Sequence, residues 1–270
     1  MAKMDIPQGV AIITGAAGGM GSACARQLVE AGWTHLLLCD VSEERLKAVA
    51  GPLRGAGNVV DILAGDVADP SFPTMMIEAL EGAPITALVH TAGLAPAMAD
   101  PERILSVNLD ATVRLVDAVR DRMAPGSAAV LFASNSSYFP LNPEAVATFS
   151  QPVPEGGAVA LAHLTPQSDM AYPLSKLGVR ALVKREAKAF GERGARLVSL
   201  SPGAIDTPMT QGTTVSGELA ERMIFGSAIG RMGYADEVAA VAVFLCSPAA
   251  SFVTGVDWLV DGGQTTAMGF

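Results

Sequence analysis

Short apolar runs recur along the chain, and most of them stop at a glycine, a serine or a carboxylate. Residues 10–14, 36–40, 58–64, 85–90, 128–133, 196–200 and 256–260 are each five to seven residues long. They are mostly continuous rather than alternating, as strands buried on both faces of a parallel sheet read. Stretches of helical spacing lie between them. Residues 22–31 follow the first run. Residues 101–123 carry Ile104, Leu105, Leu109, Val113, Leu115, Val116 and Val119 toward one side, and residues 170–190 carry Val179, Leu182, Val183, Ala187 and Phe190. Residues 216–228 read as a further helix, and Asp236 as the cap of a last one ending near Cys246. The alternation predicts one α/β domain over 1–270. Its fold is a doubly wound sheet of seven parallel strands with helices on both faces and right-handed crossovers.

One segment breaks the rhythm. Residues 135–169 hold Pro140, Pro143, Pro152, Pro154, Gly156, Gly157 and Pro166, which interrupt any long element. They also hold Tyr138, Phe139, Leu141, Phe149, Leu161 and Leu164, too apolar for a solvated linker. The segment reads as an insertion with little regular structure, a substrate lid or an interface.

Composition narrows the partners. Half of the 270 residues are hydrophobic and 17% are charged, which points to a large core and an oligomer contact. A net charge of −9 with no basic run argues against nucleic acid and anionic membranes. No apolar run reaches membrane-spanning length, and the first residues lack the apolar core of a secretory signal. Cys24, Cys39 and Cys246 sit inside apolar stretches and read as buried thiols of a reducing, cytoplasmic protein. Neither they nor the three histidines show metal-ligand spacing.

The candidate chemistry begins with Tyr172 and Lys176. Four residues apart on a helix, they project from one face. An ammonium beside a phenol pulls the phenol's pKa from about 10 toward neutrality and makes it a general acid or base. At the other end of the chain, the first strand runs into Gly15, then Gly18, Gly19, Met20 and Gly21, then a helix. That order aims backbone N–H groups at a phosphate, with Gly15 for the turn, Gly19 for close approach and Gly21 for packing. Asp40 ends the second strand nineteen residues after Gly21, where a dinucleotide fold needs an acid for the ribose hydroxyls. Such an acid repels a 2′-phosphate, and the first cation after it is Arg45, so NAD is expected over NADP. Asp66 and Val67 follow the third strand, where an adenine could be read. Asn108 lies inside a helix that gains nothing from it. Ser134 ends the fifth strand.

Taken together, Thr14-Gly15-x-x-x-Gly19-x-Gly21, Asp40, Asp66-Val67, Ala92-Gly93, Asn108, Ser134, Tyr172-x-x-x-Lys176, Pro202-Gly203 with Thr207, and Asp261-Gly262-Gly263 resemble the short-chain dehydrogenase/reductases across residues 8–263. Ser247 to Ser251 and the terminal Asp-Gly-Gly look most like the bacterial 3α-hydroxysteroid dehydrogenase/carbonyl reductase branch, which also carries an insertion before its tyrosine. Two departures stand out: His90-Thr91 replaces the family's paired asparagines, and Ser134 lies unusually far from Tyr172, with Ser136 and Ser137 as rival serines. The resemblance implies a Rossmann fold and an NAD-dependent alcohol dehydrogenase or carbonyl reductase. Tyr172 would act as acid or base, Lys176 would lower its pKa and hold ribose, Ser134 would bind the reacting oxygen, and Asn108 would position a relay water. Gly15, Gly19, Met20, Gly21, Asp40, Asp66, Val67, Ala92, Gly93, Pro202, Gly203, Ile205 and Thr207, with Tyr172 and Lys176, would hold the cofactor. Segments 135–169 and 204–228 are expected to flank the pocket with apolar side chains (Met209, Leu219, Met223, Ile224 and Phe225 in the second). They predict a bulky hydrophobic ketone or alcohol, such as a steroid or aryl ketone, as the small-molecule partner. A homo-oligomer, dimer or tetramer, is expected. The competing readings are an acyl-chain ketoreductase and a non-catalytic dinucleotide sensor.

Overall fold

The structure is a computed structural model that describes residues 6–153, 156–207, 221, 224 and 226–269. Seven strands form one sheet: β1 (Val10–Thr14), β2 (His35–Asp40), β3 (Val59–Ala64), β4 (Ile85–His90), β5 (Met123–Phe132), β6 (Arg196–Pro202) and β9 (Asp257–Val260). Their order is β3-β2-β1-β4-β5-β6-β9, and every neighbouring pair is parallel. The chain winds outward from β1 to β3, then returns to β4 on the other side of β1. The crevice at that reversal is where open α/β sheets place their ligands. A two-residue pair, β7 (Ile205–Asp206) with β8 (Gly233–Tyr234), stands apart from the sheet.

The central strands β1, β4 and β6 are buried along their whole length because both faces are covered, whereas the edge strands β3 and β9 are partly exposed. In β1, Val10 and Ile12 pack with one core, Ala11 and Ile13 with the other. The first core takes in α3 (Phe72–Glu78), α4 (Pro101–Leu105), α5 (Ala111–Arg120) and α8 (Ser168–Glu192). The second takes in α1 (Gly19–Ala31), α2 (Glu43–Gly55) and α9 (Ala235–Cys246). Cys24, Cys39 and Cys246 are free and buried, as expected.

Several boundaries differ from the sequence expectation. The 101–123 stretch is not one helix: α4 and α5 are joined by a π-helical turn, Ser106–Asp110, and β5 begins at Met123. A π turn carries one extra residue per turn and rotates the helix beyond it, a local cost often tied to function. Asp236 does not cap α9; the Glu237 carboxylate accepts the Tyr234 N–H at 2.8 Å, and Asp236 pairs with Arg26. Nor is α9 the last helix, since a short α10 (Gln264–Ala267) comes after it. The expected helix over 216–228 lies largely outside the described residues.

The 135–169 segment is more ordered than its prolines suggest. It contains a 3₁₀ turn (Asn135–Tyr138), α6 (Pro143–Phe149) and α7 (Gly157–Ala160). Ala145, Phe149, Val153 and Ala158 are buried in the first core. The buried carboxylate of Asp110 accepts the Ala158 and Val159 N–H groups at 3.0 and 3.3 Å, pinning α7 to the π turn. Tyr138 donates to Asp257 Oδ2 at 2.6 Å and lies 3.5 Å under the Arg180 guanidinium, measured to the ring centre.

Candidate active site

Two cavities open along the carboxyl ends of the strands. The larger, about 370 Å³, starts at the glycine turn between β1 and α1. Gly15 sits at φ +69°, and a Cβ there would stand 2.7 Å from the Ala92 nitrogen. A Cβ at Gly21 would stand 2.2 Å from the Gly15 oxygen, so any side chain would open the turn. The first turn of α1 has neither a side-chain cap nor an acidic residue, which leaves its N–H groups and positive end facing the cavity. Those features fit a pyrophosphate. Gly19, Met20, Asp40, Asp66, Val67, Ala92 and Gly93 also line this space.

At the far end, Asp40 Oδ2 accepts the Ala17 N–H at 3.0 Å, so the acid is braced against the glycine turn. The Ala17 carbonyl receives Arg45 Nη2 at 2.5 Å. Arg45, five residues past Asp40, is folded back by the first turn of α2 and lines the cavity beside it. Asp66 meets a second arginine: its Oδ2 accepts from Arg103 Nη2 at 2.5 Å, while Oδ1 accepts the Ala68 N–H at 2.9 Å. Sequence reasoning discounted Arg45 for its spacing and did not find Arg103, which α4 brings to Asp66 from 37 positions away.

The smaller cavity, about 160 Å³, shares Met20, Thr91, Gly93, Leu94 and Thr207 with the larger one, so the two are continuous. Ser134, Tyr172, Lys176, Pro202, Gly203 and Ile205 line it. Hydrogen bonding sets the three serines apart. Ser136 donates its N–H and its hydroxyl to Ser134 Oγ, at 3.2 and 3.0 Å. Ser137 Oγ turns away and donates to the Ser134 carbonyl at 2.6 Å. With two acceptor sites used, the Ser134 proton is left to donate into the cavity that Tyr172 also lines.

Lys176 is buried and donates to the Phe132 carbonyl at 2.8 Å, with its ammonium 5.9 Å from the Tyr172 ring centre. Burial lowers its pKa to about 8. Burial also pushes the Tyr172 phenol above its usual value, and the opposing influence is the Ser134 hydrogen bond. Against the expectation of a depressed phenol, the net shift of Tyr172 is upward: desolvation is the larger influence and Ser134 the opposing one.

Asn108 lines neither cavity. Its Oδ1 accepts the Leu94 N–H at 2.8 Å, and its Nδ2 donates to the Leu94 carbonyl at 3.0 Å and to Ser175 Oγ at 3.2 Å. The side chain clamps the loop after β4. His90 lies behind that loop, between Thr14 Oγ1 at 2.6 Å and Thr112 Oγ1 at 2.9 Å; Thr112 donates onward to the Asn108 carbonyl at 2.8 Å. Burial, then the nearby Lys176 charge, lowers the His90 pKa to about 3, so it is neutral at pH 7 and ties β1 and β4 to α5. No described residue of 135–169 lines either cavity. Of the 204–228 segment expected to flank the pocket, Met209, Leu219, Met223 and Phe225 lie outside the described residues.

Residues 9–143 match the family model described as short chain dehydrogenase, and residues 156–265 match one described as enoyl-(acyl carrier protein) reductase. D-threitol dehydrogenase of Mycolicibacterium smegmatis is 33% identical, covering 95% of this chain and 92% of that one. The 3-alpha-hydroxysteroid dehydrogenase/carbonyl reductase of Comamonas testosteroni is 29% identical, covering 96% and 97%. Among solved structures, a 3-alpha-hydroxysteroid dehydrogenase from Pseudomonas sp. B-0831 complexed with NADH superposes with a TM-score of 0.79 at 27% identity, covering 96% and 98%.

Proposed function

Since the chain belongs to the short-chain dehydrogenases, oxidoreductases of alcohols and ketones, we propose that it is an NAD-preferring enzyme for a bulky hydrophobic secondary alcohol and its ketone. The observation that carries the reading is that Ser134, Tyr172 and Lys176 line one cavity continuous with the cavity at the glycine turn. The glycine turn and the start of α1 would hold the pyrophosphate, and Asp40 the ribose hydroxyls. Pro202, Gly203 and Thr207 would hold the nicotinamide end. When bound, the nicotinamide supplies or accepts the hydride.

The chain's own residues handle the proton and the charge. In reduction, Tyr172 gives its proton to the carbonyl oxygen, and its raised pKa keeps that proton in place until the alkoxide forms. Ser134 donates to the same oxygen and stabilises the developing charge, a contribution worth about 3 kcal/mol when one such donor is removed elsewhere. Lys176, still largely an ammonium at pH 7, stabilises the phenolate left behind. Leu94, Ala95, Pro96, Phe132 and Ile205 give the smaller cavity its apolar walls and support a hydrophobic substrate, of which this space admits the reacting end. Exposed Phe244, Phe252, Val256 and Leu259 around the edge strand β9 support the expected homo-oligomer.

Tyr172→Phe tests the assignment. It should bind NADH as the wild type does, by fluorescence titration, and lose at least about 10²-fold in ketone reduction. Turnover within a few-fold of wild type would sink it.

A further inference from the structure

We propose that Gln264 is a positioning residue that fixes the Ser134 loop relative to the Pro202–Gly203 turn, which follow the neighbouring strands β5 and β6 and both line the smaller cavity. Gln264 is 1% exposed and touches neither cavity. Its Oε1 accepts from Asn135 Nδ2 at 3.2 Å and from the Ala204 N–H at 2.8 Å. Asn135 is the neighbour of Ser134, and Ala204 is the neighbour of Gly203. One carbonyl oxygen therefore holds both walls, and no other hydrogen-bond acceptor of the side chain exists to share the task.

The fit is close. A Cβ at Gly203 would stand 2.3 Å from Gln264 Oε1 and 2.7 Å from the Asp261 Cβ. The Asp261-Gly262-Gly263 motif, which the proposed chemistry does not use, is what delivers Gln264 to this place. Gly262 and Gly263 take φ of +62° and +80°, reversing the chain after β9. The Asp261 carboxylate then accepts the Gly263 and Thr265 N–H groups at 2.9 and 2.7 Å, fixing the first turn of α10. The Gly262 carbonyl also accepts the Ile229 N–H at 3.1 Å, so the chain returning to α9 rests on the same turn. Loss of the Gln264 oxygen would leave one buried and one part-buried donor without an acceptor, and the two segments would shift to find new ones.

The inference rests on the oxidoreductase reading, and the experiment separates the two. Gln264→Met keeps the length and removes the acceptor; Gln264→Glu keeps an oxygen in place. Each is compared with wild type and Tyr172→Phe in NADH-dependent reduction of acetophenone, cyclohexanone or androstanedione, whichever the wild type reduces fastest. Gln264→Met should lower kcat on the order of 10²-fold, since misplacement of about 1 Å costs that much. Its deuterium isotope effect with [4-²H]NADH should rise as hydride transfer becomes limiting, while the fluorescence Kd for NADH changes far less. Gln264→Glu should recover most of the rate. The inference is overturned by an unchanged kcat in Gln264→Met, by a loss that tracks the folded fraction with an unmoved isotope effect, or by Gln264→Glu as impaired as Gln264→Met. Full activity in Tyr172→Phe overturns the reading of the site instead, and a wild type inert toward all three ketones removes both.

Discussion

Lowering the pH from 7 to 4 should strain this fold at His90. The imidazole is buried and hydrogen-bonded at both nitrogens, to Thr14 and Thr112, and its pKa falls from 6.5 to about 3. Between those values the unfolded chain binds a proton that the folded chain does not. The stability His90 confers is therefore complete above pH 6.5 and drains away as the pH falls toward 3. By pH 4 the medium lies about two and a half pH decades below the unfolded value, and each decade is worth about 1.4 kcal/mol, so the loss is about 3 kcal/mol. Other groups titrate in the same range, so the comparison that isolates His90 is with His90→Asn. That variant should be less stable at pH 7, because a shorter side chain cannot span Thr14 and Thr112. It should also lose about 3 kcal/mol less than wild type between pH 7 and pH 4, measured by urea denaturation at each pH. With only three histidines in the chain, the His90 ring protons can be followed by NMR. An equal acid loss in both proteins, or a His90 titration near pH 6, would refute the reasoning.

Three further outcomes are expected at the site. Gly93→Ala would bring a methyl to 3.2 Å from Asn108 Oδ1 and 3.3 Å from Lys176 Nζ, a crowding of a few tenths of an ångström; it should fold normally and lose up to about tenfold in kcat, and a wild-type rate would show that Lys176 tolerates displacement. With the Lys176 pKa lowered to about 8, ketone reduction should decline above about pH 8 as the ammonium is lost, and Lys176→Arg should shift that limb upward at a lower rate; a limb unmoved by the substitution would assign it to another group. Asp40→Asn should raise kcat/KM for NADPH relative to NADH by about tenfold through loss of one repulsive charge, whereas Arg45→Ala should lower the same ratio; if neither ratio moves, these side chains do not read the ribose.

Much of this molecule is legible before any coordinates. Each of the seven strands overlaps an apolar run, with β5 starting earlier than its run, because a strand buried on both faces, as β1 and β4 are, leaves little room for polar positions and so announces itself locally. The Gly15–Gly21 turn is equally readable, since only glycine avoids the clashes that Gly15 and Gly21 would otherwise meet. Tyr172 and Lys176 are paired by helical spacing alone. The sequence thus determined the layer architecture, the glycine turn and the placing of Tyr172 and Lys176 on one cavity wall.

What it could not determine are contacts between residues far apart in the chain. The π turn at Ser106–Asp110 leaves no periodic signature, since one extra residue per turn is smaller than the scatter of apolar positions. The bonds from the Asn108 amide to Leu94 and Ser175 join residues 14 and 67 positions apart, which no local pattern announces. The 135–169 segment looked irregular because its prolines were visible while the core that receives Phe149 and Ala158 was not. Tyr172 shows the same limit: spacing puts an ammonium beside it, but only three-dimensional burial decides that desolvation prevails and that Ser134 opposes it. Arg45, Arg103 and Gln264 take their places by the closing of the sheet. Local patterns are written in neighbouring residues; long-range hydrogen bonds and desolvation exist only once the fold has brought distant side chains together.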